Sequence, residues 1–230
     1  MQINKSNTQF ILAFRIIFTI ISWGVLVSMF IVEILGEETF YEGFLSAIGA
    51  YKYFTMQTNL IVAIWLTFAL AFHKKPHYQE KIKGVFKGAV TLYITITFIV
   101  FAIALSWTYY PTGFDAFTNI VIHYVVPIAF IADWFIAEIN IYYKWKYLLF
   151  WLIYPIFYLI FSIVNGTLTG DYLYPFLDIN ALGWGKFILF IVLLIIGFLV
   201  LGSLLILVNR YRMKKTIEKR TSEIESKDLQ

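Results

Sequence analysis

A chain of 230 residues that is 60% hydrophobic, 20% aromatic and only 14% charged, with mean hydropathy +0.77, cannot hide its apolar surface in one water-soluble core. Cysteine is absent, which excludes disulfides, thiol nucleophiles and thiolate metal sites. The formal charge of +4 is not a nucleic-acid footprint, because the basic residues gather in loops on one expected face of a membrane.

A helix needs about twenty mostly apolar residues to cross roughly 30 Å of hydrocarbon. Six stretches qualify: 10–35, 54–72, 86–107, 117–139, 147–164 and 184–208. They predict an all-α polytopic bundle over residues 1–209, followed by a polar tail at 210–230. The first stretch is too long for a cleaved signal peptide, and no small-residue cleavage pattern follows it. There is no usable internal repeat. Asn165-Gly166-Thr167 fits a glycosylation acceptor but abuts the end of a span, and is read as chance.

Orientation follows from the basic residues. The link 72–87 holds Lys74, Lys75, Lys81, Lys83 and Lys87 together with His73 and His77; the link near Tyr143 holds Lys144 and Lys146; the tail opens with Arg210, Arg212, Lys214 and Lys215. The other connections carry only Lys52 and Lys186, against Glu37, Glu38, Glu42, Asp115, Asp171 and Asp178. Positive loops stay inside, so both termini are expected on the cytoplasmic side, at the plasma membrane if the source is bacterial. The tail is expected to continue the last helix and then fray in water. Its basic residues are explained by orientation rather than by a lipid-binding surface.

Ionisable groups inside a span need a reason. Arg15 in the first span and Asp133 in the fourth both lie roughly 8–9 Å from the same face, at a rise of about 1.5 Å per residue. They are candidates for a structural ion pair. His123 is the only histidine in a span. Pro127, four residues later, has no N–H to offer the His123 carbonyl, so the helix is expected to bend there. Asn119, one turn earlier, shares the face of His123.

The second span opens with Phe54-Thr55-Met56-Gln57-Thr58-Asn59-Leu60. Gln57, Thr58 and Asn59 point in different directions, so some must face other helices or a cavity. Thr58 lies close to the depth of His123. A threonine hydroxyl becomes a nucleophile when an adjacent base takes its proton, and a neutral imidazole suits that task. The same pair can also serve simply as interhelical glue.

At these residues the chain resembles a family. The segment Phe54–Leu60 in α-helical context, His123-Tyr124-Val125-Val126-Pro127 with Asp133-Trp134, Tyr154-Pro155, and Asp171-Tyr172-Leu173-Tyr174-Pro175-Phe176-Leu177-Asp178 are similar to the androgen-induced and androgen-dependent transmembrane hydrolases and their bacterial relatives. The likeness runs from the first span to the last. It implies a threonine hydrolase with one intramembrane threonine and one intramembrane histidine, whose animal members cleave fatty acid esters of hydroxy fatty acids. Carried onto this chain, the nucleophile is Thr58, with Thr55 as the alternative, and the base is His123. Such acyl transfer requires an oxyanion donor; Gln57, Asn59 and Asn119 are the candidates. The expected partner is a membrane lipid, as substrate or ligand.

The longest outward connection, 166–183, carries Tyr172, Tyr174, Pro175, Phe176 and Asp178. Two readings stay open for it: a lid over the site, or an aromatic belt at the interface. Asp178 is a candidate to orient His123. No metal or other cofactor is expected, because one intramembrane histidine cannot build a zinc site. His-Glu-x-x-His and glycine-rich phosphate loops are absent. The alternative function is a small-molecule or lipid transporter in which Arg15, Asp133 and His123 line a pathway.

Overall fold

The computed structural model describes residues 5–74, 83–138 and 141–228. We number the helices α1 (Lys5–Gly36), α2 (Phe40–Ala50), α3 (Phe54–Ala71), α4 (Gly84–Leu105), α5 (Gly113–Ala137), α6 (Lys146–Thr169) and α7 (Ile179–Asp228). All but α2 are long and apolar enough to cross a membrane. Among the described residues there is no strand. Large apolar side chains such as Ile20, Phe161 and Val200 are exposed on the outside of the bundle. A surface of this kind belongs against lipid tails, so the architecture is that of a multi-pass integral membrane protein.

Helix α2 lies in a connection that sequence reading left without structure. Thr39 caps it: its hydroxyl oxygen accepts from the Glu42 N–H at 3.2 Å and its proton goes to Glu42 Oε2 at 2.8 Å. The hydroxyl thus acts as a side-chain N-cap. Gly43 lets α2 fold back against α1, since a Cβ there would lie 2.3 Å from the Ile34 carbonyl oxygen.

Helix α4 is the most buried span and packs against α3, α5, α6 and α7. Its close approach to α6 depends on Gly88, which lies against the Trp151 ring. Pro155 inside α6 cannot donate to the carbonyl of Trp151. The hydroxyl of Tyr93 on α4 donates to that oxygen instead, at 2.9 Å.

Three π turns occur among the described residues, Lys83–Lys87 at the entry to α4, Phe101–Leu105 at its end and Val121–Val125 within α5. The last of them ends two residues before Pro127. The irregularity expected at His123 therefore takes the form of one wide turn, a feature that often marks functional positions in helices.

One expectation needs correction: Lys87, counted above as a loop charge, is only 1% exposed and lies at the start of the third span. Helix α7 runs on through the polar tail to Asp228, with a break at Gly183 (φ 71°) near its start. Lys75, His77 and Lys81 fall outside the described residues.

Candidate active site

Thr55 occupies the first turn of α3. A helix leaves its first N–H groups without intrahelical acceptors, and here tyrosines from elsewhere in the chain approach them. Tyr158 of α6 accepts from the Phe54 N–H at 2.9 Å and donates to the Lys52 carbonyl at 3.1 Å. The Tyr174 phenol interacts with the Thr55 side chain and backbone at the same helix start.

The imidazole of His123 meets Thr55, not Thr58. Its Nε2 lies 3.4 Å from Thr55 Oγ1. Its Nδ1 lies 3.1 Å from the Asn119 carbonyl, one turn back on α5. A carbonyl can only accept, so Nδ1 carries the proton and Nε2 presents a lone pair to the hydroxyl. Phe101 stacks on the imidazole, with ring centroids 3.7 Å apart and planes 16° apart, and fixes its plane. His123 is 8% exposed. The π turns 101–105 and 121–125 thus converge on this pair of rings.

Thr58 is placed differently from the sequence expectation. It is 1% exposed, donates to the Thr55 carbonyl at 3.1 Å and meets the Thr97 hydroxyl at 2.9 Å. It ties α3 to α4. The reason is helical position: Thr58 has a helix carbonyl one turn back to bond, whereas the residues one turn before Thr55 precede the helix.

The other candidates sort themselves by their partners. Asn59 Nδ2 donates to the Thr55 carbonyl at 2.8 Å and to the Ile122 carbonyl at 3.0 Å. Both amide protons are used, so Asn59 does not serve as an oxyanion donor; it fastens the threonine turn to the histidine turn. Gln57 is bonded to the Tyr51 carbonyl and the Tyr154 hydroxyl, away from His123. Asn119 contributes its backbone carbonyl to His123. Asp178 does not orient the imidazole: its Oδ1 accepts from the N–H groups of Asn180 and Ala181 and caps the start of α7.

The 171–178 segment packs against the bundle. Leu173, Tyr174 and Leu177 are buried, and Gly166 makes room for the Tyr172 ring. Beneath the segment is a cavity of about 280 Å³, lined by Thr55, Thr97, Phe101, Tyr158, Tyr174 and apolar side chains. A second cavity of about 520 Å³ adjoins it between α4 and α7, sharing Ile96, Val100, Leu105, Phe176 and Leu194. Hydroxyls are the only side-chain polar groups on either lining.

Arg15 and Asp133 do meet. Arg15 Nε donates to Asp133 Oδ1 at 2.7 Å and its Nη2 reaches Oδ2 at 3.3 Å, while Lys87 pairs with the same carboxylate. Lys87 Nζ also lies 3.8 Å from the centre of the Phe130 ring. This cluster joins α1, α4 and α5 about ten residues along α5 from His123, roughly 15 Å by helical rise.

Among the described residues no group of three or more His, Cys, Asp and Glu side chains could hold a metal ion. No protein-family model, no curated protein and no solved structure matches this chain.

Proposed function

We propose that the chain is an intramembrane lipid-ester hydrolase with Thr55 as nucleophile and His123 as general base. The observation that carries this reading is the contact between Thr55 Oγ1 and an imidazole nitrogen whose other nitrogen is fixed by a carbonyl. The separation of 3.4 Å is loose, as expected of a dyad that tightens once substrate is bound.

The ester carbonyl enters the cavity beside Thr55, and its acyl chain lies along the apolar lining toward the second cavity. Thr55 Oγ attacks the carbonyl carbon as its proton passes to His123 Nε2. The imidazolium returns that proton to the departing alkoxide as the ester C–O bond breaks, leaving an acyl-threonine. Water then attacks the acyl carbon, His123 takes its proton, and the proton passes to Thr55 as the acid leaves. The resemblance to the androgen-induced hydrolases supports the same chemistry, and fatty acid esters of hydroxy fatty acids are the substrate class it suggests.

The transporter alternative draws less support. Two of its three ionisable residues, Arg15 and Asp133, are paired with each other, Asp133 also pairs with Lys87, and the third stands well apart.

Purified protein in nanodiscs tests the reading with p-nitrophenyl octanoate. Thr55→Ala and His123→Ala should each lower turnover by about 10³-fold or more, and Thr58→Ala should keep most of it. Undiminished turnover in Thr55→Ala contradicts the reading.

A further inference from the structure

An acyl transfer at Thr55 needs a hydrogen-bond donor where the carbonyl oxygen becomes negative. None of the carboxamides suspected from the sequence fills that place: Asn59 has both amide protons engaged, Gln57 is held by Tyr51 and Tyr154, and Asn119 offers its backbone carbonyl to the imidazole. Tyr174 lines the same cavity as Thr55. Its phenol interacts with the Thr55 side chain and backbone, the Phe54 backbone and the Tyr158 side chain.

We propose that the Tyr174 hydroxyl and the Thr55 N–H together form the oxyanion hole of this enzyme, so that the 171–178 segment supplies a catalytic residue as well as a cover. This rests on the hydrolase reading above.

Three features fit Tyr174 for the task. Its ring is held on both sides, stacked on Phe176 at 5.1 Å and edge-on to Tyr53 at 5.8 Å. The donor is therefore fixed before substrate arrives, which is what makes such a group effective. Its proton is available: Tyr158 directs its own proton to the Lys52 carbonyl, so the Tyr174 hydroxyl is the remaining donor of the two phenols. Rotation about the C–O bond then swings that proton onto the substrate oxygen. Burial also pushes the Tyr174 phenol above its ordinary range, so it stays protonated and acts as donor rather than base. The start of α3 adds the positive end of its helix dipole at the same point.

Tyr174→Phe removes only the oxygen and keeps both ring contacts. With p-nitrophenyl octanoate, kcat should fall by about 10²- to 10³-fold, the usual loss for one oxyanion donor, with KM within about twofold. Octylboronic acid, which forms a tetrahedral anion on a nucleophilic hydroxyl, should lose affinity by a similar factor, whereas the uncharged ether analogue of the ester should bind as before. A structural role alone would move both ligands together. Unchanged kcat in Tyr174→Phe, or equal weakening of boronate and ether, overturns the proposal. Where Tyr174→Phe fails to melt cooperatively, Tyr174→His, which returns a ring N–H, is read by the same two ligands. Thr55→Ala is assayed alongside: if it retains turnover, the hydrolase reading itself fails and takes this proposal with it.

Discussion

Asn59 holds the carbonyl of Thr55 through a 2.8 Å bond from its carboxamide nitrogen, and the second proton of the same nitrogen goes to Ile122 at 3.0 Å, one residue before the candidate base. One side chain thus sets the spacing between the turn that carries the hydroxyl and the turn that carries the imidazole. Asn59→Leu keeps the volume and removes both bonds. It should cost about 1–3 kcal/mol of stability from the carbonyls left unpaired. Turnover should fall at least tenfold, because a misplacement of about 1 Å is expensive at a reacting centre. Thermal unfolding in detergent and p-nitrophenyl octanoate hydrolysis read the two effects separately; full turnover in the variant would show that Asn59 is only glue.

The Arg15–Asp133–Lys87 cluster should be unequal in its parts. Asp133→Ala leaves two buried cations without their shared partner, which costs about 3–5 kcal/mol. Lys87→Met leaves the two-bonded Arg15–Asp133 pair in place and should cost clearly less. Unfolding titrations in mixed micelles give the order, and a Lys87 variant as unstable as the Asp133 variant would contradict it.

Gly88→Ala should destabilise the α4–α6 contact by about 1–3 kcal/mol, the usual range for overpacking. The added Cβ would lie 2.2 Å from Trp151 Cζ2, and that ring is pinned by its Nε1–H bond to the Val85 carbonyl at 2.7 Å. A melting temperature equal to that of the parent protein would show that the indole can shift.

Tyr143 makes alkaline stability a readout of the α5–α6 link. It is fully buried, accepts from Trp134 Nε1 at 2.8 Å and donates to Glu138 at 3.3 Å. Burial first, and Glu138 second, push its phenol well above the ordinary value. A folded-state pKa above the unfolded one gives stability that is complete below about pH 10 and declines as pH rises beyond it. Tyr143→Phe should lower stability at neutral pH and flatten that alkaline decline. Parallel profiles for parent and variant would contradict this assignment.

Much of this was legible in the residues, for definite reasons. Spans were readable because each needs about twenty apolar residues and few other structures do. His123 stood out because a lone histidine in hydrocarbon calls for an explanation. Depth and the resemblance both point to Thr58, yet two threonines three residues apart differ by only about 4.5 Å along the axis. The signal that separates them is the helix start: Thr55 has no helix carbonyl one turn back, so its hydroxyl remains free to face His123. Lys87 reads as a loop charge because it adjoins a basic link, and only the tertiary position of Asp133 draws it into the span. The sequence leaves both lid and aromatic belt open for the segment of Tyr174, since nothing local says that it packs against the start of α3.

Thr55 is the proposed nucleophile, and mapping a covalent adduct tests that assignment most directly. Protein treated with a fluorophosphonate is digested and the modified peptide is sequenced by mass spectrometry. The adduct should sit on Thr55, and be absent from His123→Ala. An adduct on Thr58 or on any other residue, or undiminished modification of Thr55 in the His123 variant, would contradict the dyad.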